Sequence, residues 1–165
     1  MPFIKIYVHL VWSTKKREPY LYTQQLRKKV WQHIKQNVEQ KGLFIDHVSG
    51  YHDHCHCLVS LGAEQTIANV AKLIKGESAR WINNEGLTEK WFEWQDEYFA
   101  VSVAESGLSA VRQYIKNQES HHQQHSFIDE CNAMAQHYGF KMDSYILSSK
   151  NEDTSSVPPS KNRDN

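Results

Sequence analysis

The segment Tyr51–Leu61, YHDHCHCLVSL, constrains this chain more than any other. Side chains of an extended strand alternate between two faces. His54 and His56 therefore share one face, while Cys55, Cys57, Val59 and Leu61 share the other. The second set is small and apolar and belongs against helices. The two imidazoles then project from the open face of a sheet, where a pair at i, i+2 on a rigid strand can hold one divalent cation. Ten histidines in 165 residues give on the order of one chance pair of this spacing. Spacing alone therefore favours a histidine-rich surface strand. His52 extends the same face and is a weaker third candidate, because it sits at the turn before the strand.

The surrounding pattern supplies the sheet. Ile4, Ile6, Val8, Leu10 and Trp12 alternate with Phe3, Lys5, Tyr7, His9 and Val11, which predicts a half-buried strand over 3–13. The basic loop Lys15-Lys16-Arg17-Glu18-Pro19 breaks it. Thr23 is placed to cap a helix to about Lys41, with Leu26, Val30, Ile34 and Val38 as its buried stripe and Gly42 as its stop. Strands follow over 43–51 and 54–61, and the short connection makes them an antiparallel hairpin. Thr66 caps a second helix to about Asn83, with Ile67, Val70, Ala71, Ile74 and Trp81 on its apolar side. A fourth strand over 98–103 precedes a helix from Gly107 to about Gln123, with Ser106 placed to cap it. The expectation is an α+β fold: a ferredoxin-like split βαβ antiparallel sheet with two helices on one face, plus an additional C-terminal helix. One domain is expected over 1–147, including a further helical turn or two in 127–140. The polar, proline-containing stretch 148–165 is expected to be a disordered tail.

Composition removes several function classes. Mean hydropathy is −0.69, and no apolar run approaches the roughly 20 residues of a membrane span. The alternating N-terminus is unlike a signal peptide. Three cysteines make no disulfide framework, so a reducing cytoplasm is expected. There is no phosphate loop and no dinucleotide fingerprint, so no nucleotide cofactor is expected. The His-x-Glu and Cys-x-x-Cys of a zinc deaminase are absent. A structural zinc site on Cys55 and Cys57 would need thiols that belong to the core face. Net charge is zero, yet residues 1–41 hold nine Lys/Arg against two acids. That asymmetry fits either a solvated helix face or a phosphate-binding one.

The helix Val111-Arg112-Gln113-Tyr114-Ile115-Lys116-Asn117-Gln118 adds a second chemical element. Tyr114 and Gln118 are at i, i+4 and sit one above the other on a helix face. Laid near the open sheet face, this helix can bring a phenol and a carboxamide oxygen to a metal held by the histidines. The plainer account is that Tyr114 edges the core and Gln118 is solvated.

Together, the order of elements, the His54-Cys55-His56 strand and the Tyr114–Gln118 helix resemble the single-strand tyrosine transposases of the insertion-sequence-200/605 type, members of the HUH nucleases. The resemblance takes in the Val11–Pro19 strand and basic loop and Trp94–Val103, and covers roughly residues 3–125. It implies Tyr114 as nucleophile on the additional helix, His54 and His56 as metal ligands, and Gln118 as the third ligand. This chain has His52-Asp53 where the family commonly has proline-aspartate, and Cys55 where an aliphatic residue is usual.

The implied activity is metal-dependent cleavage and rejoining of single-stranded DNA at hairpin-forming ends, with Mg²⁺ or Mn²⁺ and a 5′-phosphotyrosine intermediate, by a homodimer whose tyrosine acts within its own subunit or completes the site of the other. Lys15, Lys16, Arg17, Arg27, Lys28 and Lys35 would track phosphates, and aromatics in 91–94 would stack on unpaired bases or else pack in the core. The competing reading is a ferredoxin-like single-strand binder without strand transfer.

Overall fold

A computed structural model describes residues 2–139. Contacts among the described residues define one compact unit up to Phe127 and a second from Ile128. The first unit contains β1 (Ile6–Ser13), α1 (Gln24–Gln40), β2 (Phe44–Tyr51), β3 (His54–Leu61), α2 (Ile67–Asn84), β4 (Phe99–Val103), α3 (Leu108–Lys116) and α4 (Gln118–His121). The strands form one sheet in the order β2-β3-β1-β4, each neighbour antiparallel. This is the expected split βαβ arrangement. A further helix, α5 (Phe127–Tyr138), starts on the last residue of the first unit and makes up most of the described part of the second. The stretch expected to be a tail, 148–165, lies outside the described residues.

Both threonine caps form where the sequence places them. The Thr23 hydroxyl accepts from the Leu26 N–H at 3.1 Å, and that of Thr66 accepts from the Asn69 N–H at 3.2 Å. One sheet face carries Val8, Leu10, Trp12, Cys55, Cys57 and Val59, and it packs on α1 and α2 through Val30, Ile34, Val38, Val70, Ile74 and Ile82. The buried stripe of α1 is rotated from the expected one. Arg27, Val30, Trp31, Ile34 and Val38 are buried, while Leu26 is only half-buried. In α2 the stripe ends on Ser78 and Ile82 rather than Trp81. The Ser78 hydroxyl donates to the Ile74 carbonyl and accepts from the Trp94 indole N–H at 2.9 Å, which satisfies it inside the core.

The opposite face is not open. α3 lies across it, and Leu58, Leu108 and Ile115 form a second buried cluster with Tyr7, Val103, Val111 and Tyr114 at its edge. Val11 and His9, expected on the wet side of a half-buried strand, are buried for this reason. The helix expected over Gly107–Gln123 is also interrupted, and it starts at Leu108 after Gly107 with no side-chain cap, so the expected Ser106 cap does not form. α3 ends at Lys116, Asn117 has a non-helical ψ of 11°, and α4 restarts at Gln118. α3 is tied to the sheet through Asp46, the extra residue at an irregularity in β2. Arg112 donates to its two carboxylate oxygens at 2.8 and 2.7 Å.

Candidate active site

The strand register decides which side chains meet. His54 pairs with Ser13 and Tyr51, and His56 with Val11 and Ser49, so both imidazoles point to the face that α3 and α4 cover. Both are fully buried, at 0 % exposure. This corrects the expectation of imidazoles on an open face, and the cause is the helical cover. The same register puts Cys55 and Cys57 on the α1/α2 side, as expected, with their Sγ atoms 3.9 Å apart. Burial pushes the Cys55 thiol well above its ordinary pKa, and both thiols belong to the core cluster on the α1/α2 side.

Each of the two imidazoles has its Nδ1 held by a neighbour. Asp53 Oδ1 accepts from His54 Nδ1 at 2.7 Å. His9 Nε2 lies 2.9 Å from His56 Nδ1, and their rings are stacked. Such contacts fix ring orientation and direct Nε2 to the opposite side, as outer partners do for metal-binding histidines. Burial alone would raise the Asp53 carboxyl. The hydrogen bond from His54 and the neighbouring His54, His52 and His122 rings outweigh it and hold Asp53 below the usual carboxylate range.

The interruption after α3 turns Gln118 fully inward. Its Oε1 lies 3.1 Å from His54 Nε2 and 2.9 Å from Nε2 of His122, while its amide Nε2 donates to the Tyr114 carbonyl at 3.3 Å. The half-buried Tyr114 ring stands edge-on to His56, with centroids 5.6 Å apart. His121 and His9 flank it at 5.7 and 6.2 Å. Tyr114, His54, His56 and Gln118 thus come together within one chain. His52 stays near the turn, half-buried beside Asp53 and Tyr51. His9 and His122 were not singled out from the sequence. His122 had a signal, since Tyr114, Gln118 and His122 recur at i, i+4, i+8. His9 had none, because its link to His56 crosses 47 positions.

Of the basic residues, Lys16, Lys28 and Lys35 are exposed and Lys15 half-buried. Arg17 and Arg27 are not on the surface, at 8 % and 6 % exposure. This corrects their placement on an exposed basic face. Arg27 donates to both Glu119 carboxylate oxygens at 2.7 and 2.8 Å and to the Leu21 carbonyl, and lies over the Tyr51 ring. It fastens α1 to α4, beside Gln118. The aromatic stretch divides: Phe92 and Trp94 are core, whereas Trp91 is 71 % exposed. Trp91 edges a groove of about 560 Å³ between α2 and the 91–98 segment, with Lys72, Lys75 and Arg80 along it. No helix among the described residues is long and apolar enough to cross a membrane.

The depressed carboxyls give an acid dependence. For Asp46 the leading cause is the hydrogen bond from Arg112, which prevails over burial. A carboxyl depressed on folding stabilises the fold above its unfolded pKa, near 3.9, and that stability disappears as pH falls through the folded value. Urea midpoints should therefore fall steeply below about pH 4. Asp53→Asn and Asp46→Asn should each flatten that fall; unchanged slopes in both would remove the assignment.

The sequence profile of the IS200-like transposases matches residues 3–118. The ISDra2 transposase TnpA of Deinococcus radiodurans is 28% identical over 115 residues, which is 67% of this chain and 81% of that protein. A solved structure of a candidate transposase from Deinococcus radiodurans R1 superposes with a TM-score of 0.56 at 24% identity, covering 71% of this chain and 93% of the other. A REP-associated tyrosine transposase, solved bound to a REP hairpin, gives a TM-score of 0.55 at 17% identity over 74% of this chain and 71% of its own. These two establish the likeness of fold. With the profile spanning well over half of the sequence, the chain belongs to the family of IS200-like transposases.

Proposed function

We propose that this transposase cleaves and rejoins single-stranded DNA at hairpin-forming ends of a mobile element, with Tyr114 as nucleophile and His54, His56 and Gln118 as ligands of a divalent metal. The observation that carries the reading is the convergence, in one chain, of the Tyr114 phenol edge-on to His56 and of Gln118 Oε1 3.1 Å from His54 Nε2. The donor set fits a cation: the two Nδ1 atoms are engaged by Asp53 and His9, so Nε2 is the ligand atom of each ring. A bound Mg²⁺ or Mn²⁺ supplies charge neutralisation and orientation of the phosphodiester.

The chain's own groups do the rest. The Tyr114 hydroxyl gives its proton to solvent, which returns one to the leaving group, and its oxygen forms a bond to phosphorus as the bond from phosphorus to the 3′ oxygen breaks. The 3′ oxygen takes up a proton and leaves as a hydroxyl, and the 5′ phosphate stays on the tyrosine. One phosphoester replaces another, so a 3′-hydroxyl of a second strand can reverse the step without a nucleotide cofactor. Exposed Lys16, Lys28 and Lys35 supply sequence-independent affinity, and Trp91 a stacking surface for an unpaired base. Arg17 and Arg27 leave the phosphate-tracking set because they are buried. The enzyme acts as a homodimer in this reading, with each tyrosine beside its own chain's histidines.

The test is a labelled single-stranded hairpin oligonucleotide from a cognate end, with Mn²⁺ and with chelator. Metal-dependent cleavage with a covalent adduct is the expected result. His54→Ala and His56→Ala should lose cleavage while keeping most DNA affinity; cleavage surviving either change would overturn the metal assignment. Complete burial of His54 and His56 is the observation that favours the competing reading, a hairpin binder without strand transfer. Tight binding with no adduct on any cognate end would establish it.

A further inference from the structure

His122 follows α4 and faces the same buried carboxamide as His54. Its Nδ1 donates to the His125 carbonyl at 2.8 Å. A carbonyl only accepts, so that nitrogen carries a proton. His54 is in the same state, because Nδ1 is 2.7 Å from the Asp53 carboxylate, which also only accepts. Both Nε2 atoms face Gln118 Oε1, at 3.1 and 2.9 Å. The amide cannot turn to present its N–H groups there without giving up its bond to the Tyr114 carbonyl. His54 Nε2, His122 Nε2 and Gln118 Oε1 thus converge at the separation that neighbouring ligands of one cation take.

The spacing fits a metal ion. Ligands at right angles on bonds of about 2.1 Å lie about 3.0 Å apart. Ligand atoms from His54, His56 and His122 all fall within 4.8 Å of one another. We infer that His122 is a fourth protein ligand, giving the site three imidazoles and one carboxamide oxygen. The inference rests on the metal-site reading of His54, His56 and Gln118 above, and it sharpens the identity of the cation. Mg²⁺ prefers oxygen ligands, so each added imidazole shifts the site towards transition-metal ions such as Co²⁺, Ni²⁺ or Zn²⁺. Tyr51, stacked on His122 at 5.5 Å, and Arg27, over Tyr51 at 4.7 Å, hold the ring in place.

Calorimetric titration of chelator-stripped full-length protein with Co²⁺ and with Mg²⁺ tests this without DNA. The wild-type protein should bind Co²⁺ more tightly than Mg²⁺. His122→Ala should weaken Co²⁺ by at least the roughly tenfold that loss of even an outer metal partner costs, and Mg²⁺ by less. Wild-type Co²⁺ affinity in His122→Ala, with binding lost in His54→Ala, would overturn the role of His122 and leave the metal site standing. Unaltered Co²⁺ binding in His54→Ala and His56→Ala would sink both readings, as would no binding to the wild type. If His122→Ala loses its circular dichroism signal, His122→Gln, which keeps a polar donor, replaces it. The visible spectrum of its Co²⁺ complex should shift as nitrogen gives way to oxygen; an unshifted spectrum would overturn the inference.

Discussion

Tyr114→Phe is expected to eliminate the covalent protein–DNA adduct and to slow strand cleavage by on the order of 10⁴-fold or more, the scale on which removal of a nucleophile acts. The substitution is clean. A phenyl ring keeps the edge contacts with His56, His121 and His9 and the packing against Leu58 and Ile115, so only the oxygen is lost. Hairpin affinity should stay within about twofold, because the proposed DNA-binding surface is the exposed lysines rather than the phenol. A denaturing gel of the labelled oligonucleotide reads both cleavage and adduct. Tyr51 is the alternative phenol to exclude, since it stacks on His122. Tyr51→Phe should retain the adduct; an adduct that persists in Tyr114→Phe and vanishes in Tyr51→Phe would transfer the nucleophile.

The second large effect is expected at Gly50, which pairs with Cys55 in the hairpin between β2 and β3. A Cβ there would stand 2.1 Å from the His54 carbonyl oxygen. That oxygen belongs to backbone and has little room to move. His54 is paired to Ser13, and the adjacent Asp53 carbonyl accepts from the Thr14 N–H at 2.8 Å. Gly50→Ala must therefore push the strands apart at His54, whose ring is the proposed metal ligand. The expected cost is about 3 kcal/mol, the upper range for overpacking. Co²⁺ affinity should fall with it, since the His54 ring moves off Gln118. A urea midpoint and a Co²⁺ titration measure the two losses. A midpoint equal to the wild type would mean that the hairpin yields without strain, and the argument for Gly50 would fail.

Periodicity made most of the sheet and its first two helices legible. Alternation marked Val8, Leu10 and Trp12 as one buried face of β1. Thr23 and Thr66 marked helix starts that the hydroxyl bonds bear out. These are local signals, settled by sterics and by hydrogen bonds three residues long. Where a long-range contact competed, the local reading gave way. Arg27 took the place in the α1 stripe expected for Leu26, because Glu119, 92 positions away, compensates its charge inside. Asn117 broke a helix that an apolar stripe alone would have continued.

For the candidate site, the i, i+2 spacing put His54 and His56 on one face, and the i, i+4 spacing aligned Tyr114 with Gln118. The chain alone determined those alternations, since the two-residue repeat of a strand and the 3.6-residue repeat of a helix are properties of the backbone. Tertiary structure decided that the second sheet face is covered. It also decided that Asp53 and His9 hold the two rings, and that His122 reaches the carboxamide. Asp53–His54 and Gln118–His122 are local pairs whose side chains the fold aims inward. The cover and the His9–His56 contact depend on how segments far apart in sequence are laid across one another, and packing of that kind leaves no periodic trace in either segment.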